Sequence, residues 1–140
     1  SASVYISAER IKKSGSIDEI EYFYRVYLTE YDVYSAKWLS ERKDQAKRVF
    51  TGHWRMSLFM YLGKNVSYYT NPVITPESKV RSGYIYLRYL NVHYGLMTML
   101  KGERRGSGIG VSIYNITEIY PILNASNKIY TNGGSVIYIR

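Results

Sequence analysis

The feature that most constrains the fold is a long stretch, residues 16–51, that contains neither glycine nor proline. Apolar residues recur along it at three- and four-residue spacing, which places them on one face of a helix. Ser16 and Glu19 open the stretch with a capping-box pattern, which satisfies free backbone N–H groups at a helix start. The apolar series resumes past Gly52, and Gly63 is a residue typical of a helix end. We therefore predict one long helix, or two helices bent near Ser40, over about 16–63.

The second half of the chain carries two further patterns. Thr75-Pro76-Glu77 combines an N-cap residue, a proline at the first helical position and an acid in the first turn, which predicts a helix over about 75–101. The alternative for residues 84–94 is a strand, because aromatic and β-branched residues are dense there. The turn Asn132-Gly133-Gly134 lies between two short apolar runs and predicts a β-hairpin at about 128–139.

Together these patterns predict a mainly α fold. Long helices would form a helical bundle in a single domain over residues 16–140, preceded by an N-terminal arm over 1–15 and completed by the small C-terminal hairpin. The length of 140 residues suits one domain with a hydrophobic core. We find no apolar run long enough to cross a bilayer.

Positive charge is concentrated late in the chain. Residues 45–140 contain twelve lysines and arginines against three acids, whereas residues 1–44 are nearly neutral. Such a surface attracts polyanions through its field and through counterion release. We therefore expect nucleic acid as the partner, with an anionic membrane surface as the weaker alternative.

Tyrosine is the second compositional outlier, with 17 Tyr against 3 Phe and 2 Trp. Its large ring and polar tip suit surfaces that are half buried against another molecule, which favours self-assembly. A hydrogen-bonded tyrosine core is the alternative. We assign a subunit interface to six aromatic residues in the helical stretch: Tyr24, Tyr27, Tyr31, Tyr34, Trp38 and Trp54.

The sequence contains no pattern typical of an active site. There is no cysteine, and the two histidines, His53 and His93, have no second ligand at metal-binding spacing. The glycine-rich segment 106–110 lacks both a dinucleotide fingerprint and a P-loop lysine. No paired carboxylates occur in the basic part of the chain. We predict no catalytic residue, no metal site and no cofactor.

The candidate nucleic-acid contacts are cations interleaved with aromatic residues, a second group of cations on the predicted helix 75–101, and cations beside glycines. Arginine and lysine at such positions hold phosphates without reading bases. A solvated helix face and a mobile loop are the plain alternatives. The candidates are Lys37, Arg42, Lys43, Lys47, Arg48, Arg55, Lys79, Arg81, Arg88, Arg104 and Arg105.

A polar arm followed by long helices dense in Tyr, Lys and Arg, on a cysteine-free chain of this length, resembles the major capsid proteins of filamentous archaeal viruses, the lipothrixvirus and rudivirus group. The resemblance covers residues 16–100. It implies a non-enzymatic virion protein that pairs with itself or a paralogous subunit and wraps double-stranded DNA in a helical filament. Contact with a lipid envelope would be possible in such a particle.

Two functions from other classes stay open. Three glycosylation sequons, at Asn65, Asn115 and Asn124, are compatible with an extracellular or cell-surface filament subunit without a nucleic-acid role. A small DNA-binding regulator would also carry a basic helical surface.

Overall fold

A computed structural model of the chain describes residues 16–53, 56–62, 72–101 and 110–140. The predicted arm 1–15 lies outside them. The helices are α1 (Ile17–Tyr24), α2 (Glu30–Arg42), α3 (Met56–Leu62), α4 (Tyr89–Tyr94), α5 (Tyr120–Asn124) and a 3-10 turn (Ile116–Ile119). The strands are β1 (Val49–Phe50), β2 (Tyr84–Leu87), β3 (Leu96–Lys101), β4 (Gly110–Asn115), β5 (Asn127–Thr131) and β6 (Val136–Ile139).

The predicted bundle of long helices is wrong, because short helices and two sheets replace it. In the region 16–63, the Ser16 cap is present, with its hydroxyl accepting from the Glu19 N–H at 3.3 Å. A capping box at Thr29 then starts a new helix, α2. At Lys43 the backbone becomes extended, and strand β1 follows. Both helices bury side chains in the protein interior, so apolar residues recur on either side of the break between them. Their spacing therefore does not reveal the break.

The predicted helix over 75–101 is also wrong. The Ser78 hydroxyl accepts from the Thr75 N–H at 2.8 Å, so this segment forms a turn and not a helix start. All four residues of β2 are buried, which explains their dense aromatic and aliphatic character. The strand alternative for 84–94 therefore holds for its first four residues. Helix α4 follows, and Gly95 ends it with a left-handed φ of 68°.

The main sheet has four strands in the order β1-β2-β6-β5. Strands β1 and β2 are parallel, whereas β2–β6 and β6–β5 are antiparallel. The last pair is the hairpin predicted from the Asn132-Gly133-Gly134 turn. Strands β3 and β4 form a separate antiparallel pair. The C-terminal hairpin thus supplies the centre of the main sheet, because β6 lies between β2 and β5.

Several tyrosines lie in the core and not at the surface. Tyr86 is fully buried, and its hydroxyl donates to the Asp32 carbonyl at 2.8 Å. Tyr114 is also buried and donates to the Ile74 carbonyl at 2.8 Å. Burial raises the pKa of the Tyr114 hydroxyl, since the charged phenolate would lose its hydration. Part of the tyrosine content is thus explained by a hydrogen-bonded core, the alternative weighed from composition.

Candidate functional site

Topology brings three cationic segments of the chain together at one edge of the main sheet. Residues 46–48 precede β1 and residues 78–83 precede β2, and these two strands are parallel with Val49 opposite Tyr84. Parallel strands start at the same edge of a sheet, so the two segments meet there. Strand β6 is antiparallel to β2, so the C-terminal end of β6 lies at the same edge. Arg140, which follows β6, is therefore placed beside Gly83.

Backbone contacts fix this meeting point. The N–H of Gly83 donates to the Arg140 carbonyl and the N–H of Arg140 donates to the Gly83 carbonyl, both at 2.9 Å. The Tyr84 N–H donates to the Arg48 carbonyl at 2.9 Å. Gly83 has a φ of 139°, and a Cβ there would lie 2.8 Å from the Arg48 carbonyl oxygen. Only glycine therefore allows the two chain segments to approach this closely.

Five cations line this edge, and we call them the cationic groove: Lys47, Arg48, Lys79, Arg81 and Arg140. Lys79 and Arg81 are exposed, whereas Val80 between them is buried at 4% exposure, so the two cations face outward on either side of an inward apolar residue. The groove consists of two shallow depressions of about 350 and 340 Å³.

The charge of the groove is not compensated by the described protein. Within the described residues, the ion pairs are Arg25–Glu21, Arg42–Glu41 and Arg88–Asp32, and none of them involves a groove cation. Lys47 donates to the Ser82 hydroxyl at 3.1 Å. No aspartate or glutamate is among the described residues that line either depression. Clustered cations without acids form a site for an anion from outside.

The groove gathers four of the eleven cations proposed from sequence, namely Lys47, Arg48, Lys79 and Arg81. Sequence reasoning missed Arg140. The signal that could have identified it is its place directly after the second strand of the predicted hairpin, where a paired neighbour fixes its position.

Three other predicted cations lie on α2 or directly after it, apart from the described groove lining. Lys37 is exposed on the helix. Arg42 pairs with Glu41 at 3.3 Å and lies over the Trp38 ring, 4.9 Å from its centroid. Lys43 donates to the Asp44 carbonyl at 3.1 Å, and partial burial lowers the pKa of its ammonium group. Arg55, Arg104 and Arg105 lie outside the described residues.

Arg88 lies in the interior, with 3% of its surface exposed. Its guanidinium donates to the carbonyls of Tyr24 and Tyr27, at 3.2 and 3.1 Å, and to the Asp32 carboxylate at 3.5 Å. That carboxylate also accepts from the Tyr89 N–H at 2.7 Å. The pair joins α1, α2 and the start of α4 from inside, so we leave Arg88 out of the cationic groove.

The six aromatic residues assigned to an interface have different environments. Tyr24 is buried, Tyr27 is half-buried against Phe23, and Tyr34 is 58% exposed. Trp38 stacks on Tyr130 with ring centroids 4.7 Å apart. Trp54 lies outside the described residues.

Tyr31 stacks on Tyr89 at 5.6 Å with an interplanar angle of 7°, and Tyr89 in turn stacks on His93. A Cβ added at Gly134 would overlap the Tyr31 ring, so this glycine seats the hairpin turn against α2. The Tyr31 carbonyl accepts from Asn132 Nδ2 and Ser135 Oγ at 2.9 and 3.0 Å. Tyr31 therefore packs inside the protein, against Tyr89 and the hairpin turn.

The described residues contain no group of three or more His, Asp or Glu side chains that could hold a metal ion.

The two described sequon asparagines, Asn115 and Asn124, are exposed, and the Asn115 side chain accepts from the Thr117 N–H at 2.9 Å. Asn65 lies outside the described residues.

Comparison with known proteins adds one relationship. No curated protein and no solved structure matches the chain. Among the described helices, none has the length and apolar character needed to cross a membrane. A family model described as "Predicted membrane protein (DUF2206)" matches residues 1–138. Because this match extends over nearly all of its residues, the chain belongs to the DUF2206 family of predicted membrane proteins.

Proposed function

We propose that this chain is a non-enzymatic binding domain that docks on the phosphate groups of anionic lipids at a membrane surface. The observation that carries the proposal is the cationic groove, where five cations from three chain segments converge without an aspartate or glutamate in its described lining. Arginine and lysine donate strong charge-assisted hydrogen bonds to phosphate oxygens. The family description, a predicted membrane protein, favours a bilayer as the source of those phosphates.

The expected affinity is modest. A cation near an anionic bilayer contributes about 1 kcal/mol, so five cations contribute about 5 kcal/mol, and the dissociation constant would be on the order of 0.1 mM. Binding of this strength is reversible and weakens as salt screens the charges. It suits repeated docking on a surface rather than permanent anchoring.

A DNA-coating capsid subunit remains a prediction from sequence. The resemblance behind it depended on long helices, which the described residues do not contain. A filament coat needs phosphate contacts spread along an extended track, because affinity for DNA grows with the number of phosphates neutralised. The groove is instead a compact cluster, which fits the headgroup region of a membrane better than a polymer.

Vesicle co-sedimentation tests the proposal. We expect the chain to sediment with vesicles of phosphatidylcholine and phosphatidylglycerol, but not with phosphatidylcholine alone. The double variant Lys79→Gln/Arg81→Gln should bind about thirtyfold more weakly, since two cations of about 1 kcal/mol each are lost. The matched control is Lys37→Gln/Lys128→Gln, which removes the same charge from exposed positions outside the described groove lining.

Equal weakening in the two double variants would contradict the proposal, because it would show that net charge and not the groove drives binding. Tighter binding to duplex DNA than to the anionic vesicles, at the same salt concentration, would also contradict it. That second outcome would favour the nucleic-acid function predicted from sequence.

A further inference from the structure

The two depressions of the cationic groove share a wall. Lys79 and Arg81 line both of them. They project outward from one short segment because Val80 between them is turned into the core. An anion in either depression can therefore contact these same two cations.

Each depression also has cations of its own. Lys47 and Arg48 line only the first, and Arg140 lines only the second. An anion in the first depression would leave Arg140 uncompensated, and an anion in the second would leave Lys47 and Arg48 uncompensated. Like charges held close together repel each other, so two anionic groups would neutralise the groove better than one.

The remaining wall residues are of the same kinds in the two depressions. Ser82 supplies a hydroxyl in the first and Ser78 in the second. Phe50 adds apolar surface to the first, and Pro121 and Ile122 add it to the second. Each depression thus fits a phosphate whose ester partner is apolar.

We infer that the groove recognises a lipid headgroup with two phosphate groups, one in each depression, held jointly by Lys79 and Arg81. This inference rests on the proposed function and names its ligand class. A headgroup of this kind engages both depressions at once, so its second phosphate binds at a high effective concentration. A headgroup with one phosphate can use only one depression at a time.

The test compares two kinds of vesicle with equal lipid phosphate, one containing cardiolipin and the other phosphatidylglycerol, each in phosphatidylcholine. We expect the chain to bind cardiolipin vesicles at least about tenfold more tightly than phosphatidylglycerol vesicles, because linking two binding events raises the affinity without any new contact. If the groove also binds free anions, inorganic diphosphate should compete with the vesicles better than inorganic phosphate does. This competition experiment separates soluble ligands from lipids.

Two variants sharpen the test. Arg48→Gln and Arg140→Gln each remove a cation that belongs to one depression only. Each should reduce the cardiolipin preference to about twofold or less while binding to phosphatidylglycerol falls by only about fivefold, the effect of one cation. Lys128→Gln is the control and should leave the preference unchanged. Circular dichroism establishes that the variants are folded.

Equal binding of the unaltered chain to the two vesicles would overturn the inference, as would an unchanged preference in both single variants. Neither result touches the proposed function, provided that anionic vesicles still bind and the Lys79→Gln/Arg81→Gln variant still weakens binding. Loss of that dependence would instead overturn the proposed function.

Discussion

Arg88 and Arg81 lie seven residues apart in the sequence, yet the structure places them in opposite environments. Arg88 is 3% exposed and bonds to two carbonyls and to the Asp32 carboxylate. Arg81 is exposed and lines the cationic groove. Gly83 and strand β2 lie between them and carry the chain from the edge of the sheet into its interior.

The comparison separates two uses of the same side chain. A buried guanidinium must have partners within the protein, because an uncompensated charge in the interior is very costly. An exposed guanidinium is hydrated and can exchange water for an external anion. The environment, and not the residue type, determines whether an arginine stabilises the fold or offers a binding site.

The largest effect is expected from Arg88→Ala, which would leave the Asp32 carboxylate buried without its cationic partner. We expect the free energy of unfolding to fall by about 3–5 kcal/mol, the usual cost of breaking a buried pair. Denaturant unfolding measures this. The matched change Arg81→Ala should alter stability by about 0.5 kcal/mol or less. If the two variants lost equal stability, the comparison would be wrong.

An intermediate effect is expected from Tyr86→Phe. The change removes a hydroxyl that donates to the Asp32 carbonyl at 2.8 Å and accepts from Ser35 at 3.1 Å, inside the core. We expect a loss of about 1–2 kcal/mol in thermal or denaturant unfolding, because the Asp32 carbonyl loses a buried donor. Tyr34→Phe, at a 58% exposed position, is the control and should have almost no effect.

The smallest effect on stability is expected from Lys79→Gln, which should change the free energy of unfolding by less than about 0.5 kcal/mol. Removing one of several neighbouring cations relieves repulsion, and it breaks no ion pair among the described residues. The same variant should bind anionic vesicles about fivefold more weakly. A large loss of stability would show that Lys79 supports the fold, which would weaken its assignment to the groove.

Sequence signals predicted the structure correctly where the interaction involves residues close together in the chain. The Ser16 cap and the C-terminal hairpin each depend on residues close together in the chain, and both are present. The signal at Thr75-Pro76-Glu77 is also local, but turns and helix starts use the same residues, and here Ser78 closes a turn. The capping box at Thr29, which divides the first long pattern, was visible in the sequence and was missed.

The prediction of long helices was wrong for a different reason. Apolar spacing reports which residues are buried, but it does not report where the backbone leaves the helix between them. Val49 and Phe50 are buried in a strand because β2 lies alongside, and β2 is more than thirty residues away in sequence. The cationic groove could be identified only in part for the same reason, since its composition was visible but the meeting of 46–48, 78–83 and Arg140 depends on strand pairing.

The central position of β6 has a consequence for how the chain acquires its structure. Strand β2 pairs on one side with β1 and on the other with β6, some fifty residues later, and Tyr31 packs against Gly134 a hundred residues away. Pairings at such separation must overcome loop-closure entropy before they contribute, and they slow folding. During synthesis β2 therefore stays without the strand that pairs with all four of its residues until the hairpin emerges, and an unpaired strand edge of this kind is prone to aggregation.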